Sequence, residues 1–207
     1  MLFQISNTIP LKHKCTPTEA SMASPASAPH VLLVLLAVAL AGAAGAGAAT
    51  FYVTNLCYDT VWPAAIPAAD GCGGVRLDPG QTWRLKVPAG TAGGRIWART
   101  ECHFAGDRGI CGTGDCAGAM CCELSGKPPA TLAEFTIGHG GGAGATADYY
   151  DVSVVDGFNV PMEFRCLAGG EAPILCGDAG GRPGEARVRT CKGDSDYEIV
   201  FCPLPQY

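Results

Sequence analysis

"QTWRLKV", from Gln81 to Val87, alternates apolar and polar residues with a period of two. Trp83, Leu85 and Val87 fall on one side, Thr82, Arg84 and Lys86 on the other. Successive side chains of an extended chain point to opposite faces, so this pattern predicts a strand with one face against a core. The pattern recurs along the chain. "NVPMEFRC" sets Val160, Met162, Phe164 and Cys166 against Asn159, Pro161, Glu163 and Arg165, and "YEIVFC" sets Tyr197, Ile199 and Phe201 against Glu198, Val200 and Cys202. "FYVTN", "RIWART" and "AEFTI" read as further short strands, with "DPG", "PAGTAGG", "SGKPP" and "DG" as the turns between such segments. No stretch of helical length shows helical periodicity. The expected fold is all-β, an antiparallel sandwich or barrel.

The 207 residues hold one domain or two small ones, with a net charge of −5 and no block of lysine and arginine. That balance argues against a nucleic-acid footprint. The one long apolar run, "VLLVLLAVALAGAAGAGAA" from Val31 to Ala49, has a strongly apolar part (Val31 to Ala41) too short to span a bilayer. It has the length of a secretory leader, and Ala46 and Ala48 form a small-x-small cleavage pattern, so the mature chain is expected to start at Ala49. An uncleaved anchor is the alternative. "MASPASAPH" at Met22 reads as a natural initiator, which makes residues 1–21 an upstream extension and 22–48 the signal peptide. No stable membrane insertion is expected once the leader is removed.

Export decides how the cysteines are read. "CGTGDCAGAMCC", Cys111 to Cys122, places four cysteines in twelve residues. No companion Cys-x-x-Cys or His-x3–5-His pair completes a zinc site, and no βαβ pattern supports a redox motif. In an oxidising compartment such density reads as a disulfide framework. Without Cys15 eleven cysteines remain, an odd number, so at least one must be free, joined to another chain or capped. "GHGGGAGATA" (Gly138 to Ala147) and "GDAGGRPGEAR" (Gly177 to Arg187) read as irregular connections, the first lacking the Gly-Lys-Ser/Thr ending of a phosphate loop.

The sequence resembles the thaumatin-like, pathogenesis-related proteins from Ala49 to Pro203. The stretches that carry the resemblance are "ATFYVTNLCYDTVWPA", "PGQTW", "GRIWARTEC", "GTGDC", "GKPPATLAEF", "DYYDVSVVDGFNVPM" and "YEIVFCP", in family order. The mature length is nearer the short subclass, in which the disulfide-rich second domain is mostly deleted. The resemblance implies a secreted β-sandwich over residues 49–207, extracellular (apoplastic), monomeric, without a cofactor or metal, and associated with plant defence against fungi. It implies pairing of Cys57 with Cys202, Cys102 with Cys111, Cys116 with Cys122 and Cys166 with Cys191. The first of these would close nearly the whole chain and contribute on the order of 4–5 kcal/mol in the chain-entropy view. Cys176 has lost its family partner, and Cys72 and Cys121 stand where the family has no cysteine, so their pairing stays open.

By the same resemblance, Arg95 in "GRIWART", Glu134 in "TLAEF", Asp151 in "DYYD" and Asp156 in "VDGFN" match the family's acidic cleft. Alternation turns Glu134 away from the core, opposite Ala133, Phe135 and Ile137. A carboxylate pair can cleave a glycosidic bond, with Glu134 as proton donor and Asp151 or Asp156 as partner, and Arg95 can hold one acid ionised. Five residues separate Asp151 from Asp156, so the two meet only if "DG" bends the chain. Solvated surface charge is the plainer reading, and binding is preferred to catalysis. Of Tyr149 and Tyr150, one is expected in the core and one outside. Trp97 reads as a cation–π face or a packed sheet residue, while His103 and His139 fall in expected loops. Three functions follow: binding of cell-wall β-1,3-glucan with antifungal action, weak endo-β-1,3-glucanase activity, or inhibition of a microbial glycoside hydrolase, a xylanase, through loops.

Overall fold

A computed structural model describes residues 47–68, 71–139, 146–169, 172–177, 188–193 and 195–204. All belong to Ala43–Tyr207, the second of the chain's two compact units. The expected leader up to residue 46 and most of both glycine-rich connections lie outside these residues, while Ala48, the last residue of that expected leader, opens the first strand.

Alternation turns into two five-stranded sheets. The first contains β1 (Ala48–Asn55), β3 (Thr82–Pro88), β9 (Met162–Cys166), β10 (Ile174–Cys176) and β12 (Tyr197–Phe201), in the order β10-β9-β12-β1-β3. The second contains β2 (Trp62–Ile66), β4 (Gly94–Arg99), β7 (Leu132–Thr136), β8 (Asp148–Ser153) and β11 (Arg189–Cys191), in the order β11-β8-β7-β4-β2. A separate hairpin pairs β5 (His103–Ala105) with β6 (Arg108–Ile110). His103 thus sits on a strand, where a loop was expected.

The ladders are antiparallel except one. β1 runs parallel to β12, pairing Phe51 with Tyr197 through Asn55 with Phe201. Antiparallel neighbours are commonly joined by hairpins; β1 and β12 open and close the domain, so no short connection constrains their direction. Cys57 and Cys202, which follow these two strands, are bridged to each other.

The inner faces meet in one core. Phe51, Val53, Leu85 and Ile199 of the first sheet pack with Ile96, Ala133, Phe135 and Val152 of the second. Phe51 stacks on Tyr197 at 4.8 Å, and Tyr150 meets Phe164 edge-on at 4.9 Å, geometries that add to the burial itself. Tyr197 also carries a polar link between the sheets. Its hydroxyl donates to Oδ2 of the fully buried Asp148 at 2.7 Å, and the Gly138 amide donates to Oδ1 at 2.7 Å. Each carboxylate oxygen therefore has a donor, as a buried acid requires. Burial first, then the bond to Asp148, raises the Tyr197 phenol far above its ordinary value.

Four further bridges join Cys72 to Cys121, Cys102 to Cys111, Cys116 to Cys122 and Cys166 to Cys191. Neighbouring Cys121 and Cys122 go to different partners. Cys176, on β10 opposite Met162, packs against the core.

Candidate functional site

The outer face of the second sheet is built by residues that alternate with the core. Ile96, Ala98, Ala133, Phe135, Tyr150 and Val152 face inward, so Arg95, Trp97, Arg99, Leu132, Glu134, Tyr149 and Asp151 face outward. Register then decides which outward residues touch. Arg95 lies opposite Glu134 across β4 and β7, and Glu134 lies opposite Asp151 across β7 and β8. The three form one row across three strands, each half-buried. Directly opposed residues hold their Cβ atoms about 4.5–5.5 Å apart, so the two carboxylates are neighbours.

Electrostatics follows from that placement. Burial, reinforced by the Glu134 charge, raises the Asp151 carboxyl above the ordinary value. Arg95 does not neutralise the pair as a close ion-pair partner. Its Nη1 donates to Ser125 Oγ at 3.2 Å, and among the described residues no ion pair within 4.0 Å joins it to any of the candidate acids. The clamp expected of Arg95 is thus replaced by a contact with the loop that follows the Cys116–Cys122 bridge.

Asp156 occupies a turn beyond the end of β8. Gly157 takes φ +89°, its amide donates to the Val154 carbonyl at 3.0 Å, and the Asp156 carbonyl accepts from Ala130 at 3.0 Å. A side chain at 157 would meet Pro129 at 3.0 Å, so glycine answers both the turn and the close approach. The bend expected at "DG" is present, and it leaves Asp156 outside the cross-strand row.

Beside the row, Tyr149 stands 49 % exposed between Thr136 on β7 and Thr190 on β11, while Tyr150 is buried in the core. At the other end of the same face the surface is covered. Trp97 is fully buried, and its Nε1 donates to the Gly114 carbonyl at 2.9 Å, which makes it a packed residue. Arg99 is also fully buried. It donates to the carbonyls of Trp62 at 2.9 Å, Ala119 at 2.7 Å and Met120 at 3.0 Å, and its guanidinium lies 5.4 Å from the Phe104 ring centre. Burial lowers its pKa to about 10, against the opposing charge of Asp115, so it stays protonated at neutral pH. Nothing in the alternation marks this cation as buried; the cover comes from a loop that begins more than ten residues later.

Two cavities open elsewhere. One of about 670 Å³ lies where Asp59 to Trp62, Thr100 to His103 and Asn159 to Pro161 converge, and one of about 380 Å³ lies beside Cys116 and Cys121. Neither is lined by Arg95, Glu134 or Asp151. Sequence reasoning missed the larger cavity, because its acids Asp59 and Glu101, though inside the quoted family stretches, lie far apart in sequence and line one cavity only in the fold. Among the described residues no cluster of histidine, cysteine, aspartate and glutamate is arranged to hold a metal ion.

These features define a disulfide-stapled, two-sheet β-sandwich with a polar row on one open sheet face. The chain belongs to the thaumatin family, whose sequence profile matches residues 55–182. It is 52 % identical over 187 residues to a thaumatin-like protein of rice (Oryza sativa subsp. japonica), covering 88 % of this chain and all of the relative. It is 51 % identical to pathogenesis-related protein 1C of barley (Hordeum vulgare), covering 84 % of this chain and 97 % of the relative. Among solved structures it is similar to the thaumatin-like xylanase inhibitor TLXI, with a TM-score of 0.61 and 35 % identity over 74 % of this chain and 99 % of that one.

Proposed function

We propose that this is a secreted, apoplastic defence protein that binds fungal cell-wall β-1,3-glucan, with antifungal action following from that binding. The observation that carries the reading is the row Arg95, Glu134 and Asp151 on an open sheet face, next to the half-exposed Tyr149. Carboxylates accept hydrogen bonds from sugar hydroxyls, the guanidinium donates to ring and hydroxyl oxygens, and a tyrosine face packs on a pyranose. Asp156, in the turn after β8 and outside the row, is offered as a further contact. Five disulfides support folding in an oxidising compartment and the extracellular placement. A monomer is sufficient for this role.

Binding is favoured over hydrolysis because catalytic acids act from a concave, water-poor site, whereas this row lines neither cavity. The test is retention on insoluble β-1,3-glucan. The wild type should be retained, and Asp151→Ala should weaken retention about tenfold, the effect of roughly 1.4 kcal/mol of lost contact. A wild type that washes straight through would end this reading. Reducing ends released by the wild type but not by Glu134→Gln would instead establish a glucanase.

Similarity to the xylanase inhibitor favours a second reading, in which loops of this protein block a microbial xylanase. A complex on size exclusion, with inhibition complete at one molar equivalent, would support it. An unaffected xylanase and no complex would remove it.

A further inference from the structure

The larger cavity lies at the end of the sandwich where the Cys57–Cys202 bridge closes the first sheet, and its volume of about 670 Å³ falls in the range of small-ligand sites. Its polar lining divides into two sets. Thr60 donates to Asp78 at 2.7 Å, Thr100 and Thr113 share a hydroxyl bond of 2.8 Å, and Asn159 donates to the Ala98 carbonyl at 2.9 Å and to Thr113 at 2.8 Å. These side chains build the wall. The side chains of Asp59, Glu101 and His103 make no hydrogen bond or ion pair among the described residues and are exposed at the cavity.

Of these groups, Glu101 is constrained. Glu101 takes φ +52°, a left-handed conformation that a residue with a side chain seldom adopts. Its carboxylate rests over Gly112, where a Cβ would come within 2.6 Å of Oε2. Trp62, half-buried, forms an aromatic side of the cavity. Its ring is fixed by Arg76 at 5.9 Å and by Phe104 at 6.3 Å. Among the described residues no lysine or arginine lines the cavity.

An aromatic wall, two carboxylates, one imidazole and a lining without lysine or arginine together favour a ligand that is flat-faced, rich in donors and positively charged; Arg76, over the Trp62 ring, is already paired with Asp78 at 2.9 Å. We propose that this cavity binds a short amino-sugar oligomer with free amino groups. Ammonium and hydroxyl groups would donate to Asp59 and Glu101, His103 would pair with a further hydroxyl, and a sugar face or ammonium would lie against Trp62. The proposal is independent of the glucan reading, since it uses other residues and another ligand.

The test is calorimetric titration of the oxidised mature protein with three trimers: glucosamine, N-acetylglucosamine and β-1,3-linked glucose. The glucosamine trimer should bind saturably, at least tenfold tighter than the other two, and more weakly as salt rises. Asp59→Asn with Glu101→Gln should weaken it at least tenfold. Both changes keep side-chain shape at exposed positions. As a check that does not depend on the variant, chemical-shift changes in the wild type should centre on the Trp62 indole and the His103 ring. Absence of saturable binding, equal binding of the acetylated trimer, wild-type affinity in the double variant, or shift changes centred elsewhere would each overturn the proposal.

Discussion

Arg95 and Arg99 share a strand and a face, four residues apart, yet meet opposite surroundings. Arg95 is half-buried and donates to the Ser125 hydroxyl at 3.2 Å. Arg99 is fully buried and donates to three backbone carbonyls within 3.0 Å. The difference comes from what lies above them. The segment around Cys116 to Cys122 folds over Arg99, Trp97 and Leu132, and its bridges hold it there. The segment stops short of Glu134 and Asp151, which remain on the open half. One sheet face thus serves as both a second small core and a binding surface, and the boundary between them is set by a stapled loop.

Arg99→Met gives the largest expected effect on this contrast. It leaves the Ala119, Met120 and Trp62 carbonyls without their donor, so stability should fall by about 3–5 kcal/mol in urea unfolding of the oxidised protein. Arg95→Met should stay within about 0.5 kcal/mol of the wild type. Equal losses would erase the distinction. Next comes the staple itself. Cys116→Ser with Cys122→Ser should cost about 2–4 kcal/mol and make the Trp97 indole accessible to a fluorescence quencher. An indole that stays protected would mean that packing alone holds the cover.

The smallest effect concerns the open half. Glu134→Gln should bring the Asp151 carboxyl back toward its ordinary value, followed by NMR titration, but only part of the way, because burial is the larger cause. A carboxyl whose value is raised on folding binds its proton more readily in the folded state, so its contribution to stability is lost as pH rises through the folded value. Asp151→Asn should therefore raise the unfolding midpoint at neutral pH, with the gain vanishing below the usual carboxylate range. No dependence of that gain on pH would sink the account of the acid pair.

Legibility followed the length and regularity of the pattern. β3, with seven residues in clean alternation, and β12, with Tyr197, Ile199 and Phe201 all fully buried, were readable at once. β2, "WPAAI", was missed because proline and alanine carry no strand signal, and the hairpin β5–β6 and strands β10 and β11 are only three residues each. Alternation misassigns Glu163 and Val200: both lie on the outer side, yet they are 3 % and 7 % exposed. Glu163 pairs there with Arg165 at 2.8 Å.

At the candidate site, alternation turned Glu134 outward, and the family resemblance supplied Arg95, Asp151 and Asp156. The burial of Trp97 was one of the two readings offered for it, whereas the Ser125 contact was not readable, since it depends on a segment distant in sequence. The Cys72–Cys121 bridge was one of several pairings left open.

By itself, the order of residues determined that the chain forms strands, which side of each long strand is apolar, and that many sulfurs must be accommodated. Those are local properties, written in spacing and composition. Only the tertiary structure decided that β1 and β12 run parallel, that Glu134 stands between Arg95 and Asp151, and that one arginine of a strand is sealed while the other meets solvent. Register and cover depend on contacts between distant segments, and their energies do not exist until the sheets and the stapled loop come together.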